Sequence, residues 1–230
     1  MESAPKGSIS SLMSETRRFP PPPELAAAAY VKSLGQYQEM YDRSIKDPDG
    51  FWLENAKSEL SWFKEPTKGL EWKWDTAART IWHRWFEDGE LNVSLNCLDR
   101  QLETRANKPA IIWQGEPEED QRTLTYADMH REVSKFANVL KSKGVKKGDR
   151  VCIYLPMIPE LAITMLACTR IGAVHSIVFG GFSAEALRDR ILDSDARILI
   201  TSDVSMRSGR KIPLKATADN ALAECPNVDT

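Results

Sequence analysis

Two short apolar runs near the end of the chain each open into residues suited to holding a charged ligand. Val174 to Phe179 is rich in apolar and β-branched residues and ends at Gly180-Gly181. Two glycines let the backbone turn sharply and approach a ligand closely, and Ser183 is placed to cap a following helix whose exposed N–H groups favour an anion. Ala196 to Thr201 is the next strand-like run, and it opens into a loop, Ser202 to Arg210. That loop and the residue after it carry Arg207, Arg210 and Lys211 around Ser208-Gly209. Guanidinium groups bind phosphate through paired, charge-assisted hydrogen bonds, each worth about 1.5–3 kcal/mol when shielded from water. A phosphate-bearing ligand is therefore the first reading. The plain alternative stays open on these residues alone: many Gly-Gly pairs only turn the chain, and many Arg/Lys clusters are a solvated face. Neither G-x-G-x-x-G nor G-x-x-x-x-G-K-[ST] occurs, so the dinucleotide fingerprint and the Walker loop are not claimed.

Those residues must be positioned by a folded body, and the composition permits one. The 230 residues are 42% hydrophobic and 28% charged, with a formal net charge of −2. No global field draws such a chain to nucleic acid or to a membrane surface, so anion binding falls to local loops. Cys97, Cys152, Cys168 and Cys225 have no C-x-x-C spacing and read as free thiols of a reducing compartment. His83, His130 and His175 are too far apart for a metal motif, and no metal site is assigned. The longest apolar stretch, Leu161 to Val174, is interrupted by Thr164, Thr169, Arg170 and Gly172, which is too short and too polar for a membrane span. Met1 to Glu24 is rich in Ser and Pro without an apolar core, so it reads as a disordered tail rather than a targeting peptide, with the cytoplasm as the expected location.

After the tail, the Ala-rich run Leu25 to Lys32 and the Asp47-Pro48-Asp49 start signal predict a small helical region. Six tryptophans lie between Trp52 and Trp85 among nearly balanced charges. A base-stacking platform would need a basic excess, so these aromatics read as anchors of a small cap on a larger body. From Val93 the spacing of Cys97, Leu98 and Leu102 is helical. Pro109 to Gln114 reads as a strand and Thr123 to Thr125 as a short extended piece. Thr125 and Asp128 form a capping signal for a helix with Met129, Val133, Phe136, Ala137 and Leu140 on one face, ended by Gly144. Arg150 to Leu155 is the next strand, Pro159 to Arg170 a helix stopped by Gly172, and Ala216 to Asn227 a final helix-like piece. The repeat of strand, helix, strand, helix, strand predicts parallel pairing with right-handed crossovers. The fold class is thus α/β: a parallel, doubly wound half-domain preceded by a small Trp-rich helical cap. The divisions are residues 1–24 (tail), 25–91 (cap) and 92–230 (first part of a large domain).

The run KKGDRVCIYLPMIPELAITMLACTRIGAVHSIVFGGFSAEALRDRI, with WFEDGELNVSLNCLDR before it and MRSGRKIPLK after it, closely resembles the acetyl-coenzyme A synthetases of the adenylate-forming, AMP-binding superfamily. The resemblance extends from about residue 30 to residue 226. It implies a ligase that joins acetate to ATP, accompanied by Mg²⁺, as acetyl-AMP with release of pyrophosphate, and then passes the acetyl group to coenzyme A. By the same resemblance Arg207 and Arg210, with Ser208 and Gly209 between them, hold the phosphorylated nucleotide end of coenzyme A, and Phe179, Gly180 and Gly181 border that site. The family's Ser/Thr/Gly-rich phosphate loop ending in Lys-Gly, its ribose-binding acid and its adenylation lysine do not occur before Thr230. The chain therefore corresponds to roughly the first third of a synthetase, carries no catalytic residue, and is expected to be inactive alone. Two alternatives stay open: a self-sufficient coenzyme A or nucleotide-binding or interaction module without chemistry, and a ligase for propionate or another short acid. Partners implied are small molecules, with no nucleic acid and no membrane.

Overall fold

Residues 19–229 are described by a computed structural model; residues 1–18, most of the stretch read as a tail, and Thr230 lie outside the described residues. The first described elements are α1 (Pro23–Ala28), α2 (Leu34–Lys46) and α3 (Pro48–Glu59). Ser33 caps α2 by accepting from the Gln36 N–H, and Asp47 caps α3 by accepting from the Gly50 N–H, with Pro48 in the first turn where its missing N–H costs nothing.

The tryptophans expected on a helical cap lie chiefly on a β hairpin instead. Strands β1 (Leu70–Asp75) and β2 (Thr80–Trp85) pair antiparallel, from Leu70 opposite Trp85 to Asp75 opposite Thr80, and carry Trp72, Trp74, Trp82 and Trp85. Aromatic side chains alternating with charged ones fit a pleated two-faced surface better than a helical stripe, which is the physical reason for the difference. Asp49 of α3 ties the hairpin down: its Oδ1 accepts from the Gly69 and Leu70 N–H groups at 2.7 and 2.8 Å.

Next come α4 (Val93–Cys97), a 3₁₀ turn, α5 (Leu102–Arg105) and the antiparallel pair β3 (Pro109–Gln114) and β4 (Gln121–Thr125). Helix α6 (Tyr126–Ser142) begins with the full capping box: Thr125 Oγ1 accepts from the Asp128 N–H, and the Asp128 carboxylate accepts from the Thr125 N–H. The predicted alternation then follows as β5 (Arg150–Tyr154), α7 (Pro159–Arg170), β6 (Val174–Ile177), α8 (Ala184–Ser194) and β7 (Ile198–Thr201). Helices α6 and α7 are followed by Gly144 and Gly172 in the left-handed region, as their stop signals require.

The three strands form one parallel sheet in the order β6-β5-β7, with Val151 beside His175 on one flank and beside Ile198 on the other. Strand β5 is central and its side chains alternate between two cores. Val151 and Ile153 pack with Met129, Val133 and Ala137 of α6 and Ile163 and Ala167 of α7. Cys152 and Tyr154 pack with Leu187 and Ile191 of α8 and Leu214 and Ala218 of a last helix, α9 (Leu214–Leu222). This two-sided burial explains the near-continuous apolar reading of β5.

The stretch read as a loop from Ser202 to Arg210 is corrected: Ser205–Arg207 (β8) and Arg210–Ile212 (β9) pair as an antiparallel hairpin. Ser208 and Gly209, with φ of 51° and 69°, form its two-residue turn. Two successive left-handed residues mark a turn whose twist matches that of paired strands, so the chain folds back instead of wandering. Among the described residues no helix is long and apolar enough to cross a membrane.

Candidate functional site

Of the residues singled out from sequence, Phe179, Gly181 and Arg207 meet beyond the carboxyl ends of β6 and β7, where an open parallel sheet leaves its loops clear of packing. After β6 the chain makes a tight turn in which the Phe182 N–H donates to the Phe179 carbonyl at 3.0 Å. This turn is held from below by Tyr154, the last residue of β5 and only 1% exposed. Its hydroxyl donates to the Phe182 carbonyl at 2.9 Å and lies 3.4 Å from the Gly180 carbonyl. Burial pushes the Tyr154 phenol above its ordinary range, so it stays a donor at neutral pH.

Neither glycine is among the residues with positive φ, and of the two only Gly181 is short of room. A Cβ on Gly181 would lie 2.7 Å from the Phe179 ring and 2.9 Å from Arg207 Nη1. A Cβ on Gly180 would make only ordinary contact, 3.4 Å from the Leu155 carbonyl oxygen. Arg207 therefore reaches from β8 across to the Gly-Gly turn, and its guanidinium sits 5.5 Å from the centroid of the Phe179 ring. Phe179 in turn meets Phe182 edge to face at 5.8 Å, and Arg190 of α8 covers Phe182 at 4.6 Å. The arrangement is a cation–π and aromatic stack with its outer ring, Phe179, 54% exposed.

Arg207 and Arg210 are cross-strand partners flanking the Ser208-Gly209 turn. Like charges directly opposite one another repel, and a bound anion relieves that repulsion. Among the described residues neither arginine makes an ion pair. Instead, Glu116, from the connection between β3 and β4, accepts from the Ser208 N–H and, at 2.9 Å, from the Gly209 N–H. Thus Phe179, Gly181 and Arg207 are in contact, Arg210 is opposite Arg207, and Ser208 and Gly209 have their N–H groups engaged by Glu116.

Three contributors escaped the sequence reading. Tyr154 carried a faint signal as the polar end of a buried run before Leu155-Pro156. Arg190 is one of several charges on an amphipathic helix, and Glu116 is one of several acids in EPEED; nothing in their spacing marks them.

The remaining candidate groups lie outside this cluster. His130 Nε2 is 3.3 Å from Asp99 Oδ1, beside a two-pronged ion pair in which Arg170 donates to Asp99 at 2.7 and 2.9 Å. The Arg170 hydrogen bond holds the Asp99 carboxyl below the usual carboxylate range. His175 is depressed by burial, and its Nδ1 is buried without a hydrogen-bond partner among the described residues. All four cysteines are free thiols; Cys152 and Cys168 are pushed by burial to about 11, and Cys97 is exposed. A hollow of about 360 Å³ lies at the base of the β1–β2 hairpin, where Lys68 and Arg84 are paired with Glu71 and Glu87; it contains none of the residues singled out from sequence.

The sheet and the site fall within residues 98–229, and that stretch matches the model of a family described as AMP-binding enzyme. The chain belongs to the AMP-binding enzyme family. In front of this AMP-binding stretch, residues 37–97 match the acetyl-coenzyme A synthetase N-terminus model. An acetyl-coenzyme A synthetase of Halorhodospira halophila is 58% identical over 219 residues, 95% of this chain and 33% of that protein. Those of Magnetococcus marinus and Vibrio cholerae are 54% and 52% identical over 222 and 210 residues, 95% and 91% of this chain and 33% and 32% of theirs. This AMP-binding family member thus spans about a third of the length of the curated relatives it matches.

Proposed function

We propose that this chain is the N-terminal portion of an AMP-forming acetate–coenzyme A ligase and that it supplies the part of the coenzyme A site that holds the nucleotide phosphate. The observation that carries the reading is the Arg207–Arg210 pair, cross-strand partners that make no ion pair among the described residues, with the Arg207 guanidinium beside Phe179 and Gly181. In the complete ligase, acetate attacks the α-phosphate of Mg²⁺-bound ATP, pyrophosphate leaves, and the thiolate of coenzyme A then displaces AMP from acetyl-AMP. The residues of this chain act on the second step by binding. Arg207 and Arg210 clamp a phosphate through charge-assisted hydrogen bonds, and Phe179 offers an exposed aromatic face next to it. Tyr154 holds the turn that carries Phe179, so the face is set before ligand arrives. The three-stranded sheet is the start of a doubly wound domain, residues 25–91 are its cap, and the setting is cytoplasmic.

The adenylation half-reaction needs no coenzyme A, and that separation gives the test. In the complete ligase, Arg207→Ala is expected to raise the KM for coenzyme A about tenfold or more, as loss of a charged phosphate contact does. Acetate-dependent ATP–pyrophosphate exchange is expected to persist. Equal loss of both activities would refute the assigned role. Saturable coenzyme A binding by a 230-residue protein that supports no exchange would favour a binding module in its place.

A further inference from the structure

The β8–β9 hairpin is small and shares no strand pairing with the parallel sheet; at its far end from the turn, Ile212 packs on the core under α8 and α9. Each strand has three residues, and among the described strands they pair only with each other. An isolated two-stranded hairpin is marginal in water, so the direction in which Arg207 and Arg210 point depends on what tethers it. Its own turn is tethered by Glu116, whose two carboxylate oxygens accept separately from the Ser208 and Gly209 N–H groups.

Glu116 itself stands on a braced platform. The side-chain amide nitrogen of Gln114 sits among the carbonyls of Gly115, Pro117, Glu118 and Asp120 at 2.8 to 3.3 Å, its two protons shared between them, and the Gly115 N–H donates to the Asp120 carbonyl at 2.7 Å. Strand β3 is fastened to the loop after β5 by Trp113 Nε1, which donates to the Met157 carbonyl at 2.7 Å. The anionic charge of Glu116 is engaged by backbone donors, and no ion pair joins it to either arginine among the described residues. It thus fixes the turn while leaving both guanidinium groups available.

We infer that Glu116 is a positioning residue for coenzyme A recognition, holding the Arg207–Arg210 hairpin in its phosphate-ready orientation through the Ser208-Gly209 turn. This rests on the coenzyme A reading above. A carboxylate near an anion site has two opposite effects, and they predict opposite signs. As a tether it raises the fraction of molecules with the clamp in place, and the apparent affinity scales with that fraction. As a mere competing negative charge it weakens ligand binding, and its removal strengthens it.

The test compares Glu116→Ala, Glu116→Gln, Arg207→Ala and wild type in the complete ligase, reading KM and kcat for coenzyme A alongside amide hydrogen exchange. Glu116→Ala is expected to raise the KM for coenzyme A about fivefold, as when the competent fraction falls to about a fifth, with kcat nearly unchanged. Glu116→Gln keeps an acceptor and is expected to recover part of that loss. Exchange at the Ser208 and Gly209 amides is expected to quicken in Glu116→Ala while Val151 to Ile153 stay protected. A lowered or unchanged KM in both Glu116 variants, with Arg207→Ala still impaired, overturns the tether and leaves the coenzyme A reading standing. An unimpaired Arg207→Ala overturns both. Lost protection across Val151 to Ile153 in Glu116→Ala assigns the residue to general stability and overturns the inference as well.

Discussion

Gly181 is held to glycine by its neighbours, not by its backbone. A methyl group there would press on the Phe179 ring and the Arg207 guanidinium, both of them movable side-chain ends. Gly181→Ala is therefore expected to turn Arg207 and Phe179 aside at little cost in folding. In the complete ligase this should appear as a raised KM for coenzyme A with a thermal midpoint within a degree or two of wild type, about the range of a mild surface change. A large drop in midpoint with unchanged KM would contradict it. At this scale the sequence was legible wherever residue type alone restricts chemistry. Arginines flanking Ser-Gly and a glycine pair after an apolar run announce themselves, and the structure brings Phe179, Gly181 and Arg207 together. Glu116 was illegible because its partners are backbone N–H groups 92 and 93 residues away, and a backbone donor leaves no trace in residue identity.

Elements were legible where burial enforces a period. Strand β5 and helices α6 and α7 have their apolar residues fixed by two cores, so their spacing could be read directly. The hairpins β1–β2 and β8–β9 are largely exposed, carry mixed charged and aromatic residues, and so lack a one-sided pattern. The capping box of α6 shows how a local signal becomes a measurable property. The Thr125 hydroxyl, then the Thr125 N–H and Arg131, hold the Asp128 carboxyl at about 2, against an ordinary value of 3.8. A carboxyl depressed in the folded state stabilises above its unfolded value and loses that contribution as pH falls through the folded one. Asp128→Asn is accordingly expected to lower the unfolding midpoint near neutral pH, with the difference from wild type shrinking between pH 4 and about 2. Denaturant titrations across that window check it; a difference that grows on acidification would contradict the assignment.

On the scale of the whole molecule, the two family-model segments meet at residues 97 and 98, and a compact polar joint spans that point. Asn92 caps α4 and donates to the Thr169 and Arg170 carbonyls at 3.0 and 3.2 Å, while Asp99 grips Arg170. The N-terminal segment is thereby fixed to the end of α7, on the side of the sheet opposite α8 and α9. Trp72, Trp74 and Ile81 on the hairpin stay 60–67% exposed. The proposed phosphate clamp for coenzyme A, Arg207 and Arg210, lies at the other end of the sheet. Its most direct test is the ratio of kcat/KM for coenzyme A to that for 3′-dephospho-coenzyme A, measured in the complete ligase and in its Arg207→Ala/Arg210→Ala variant. The account predicts that the wild type prefers the phosphorylated substrate by about tenfold or more and that the variant loses this preference. A preference that survives the double substitution would contradict it.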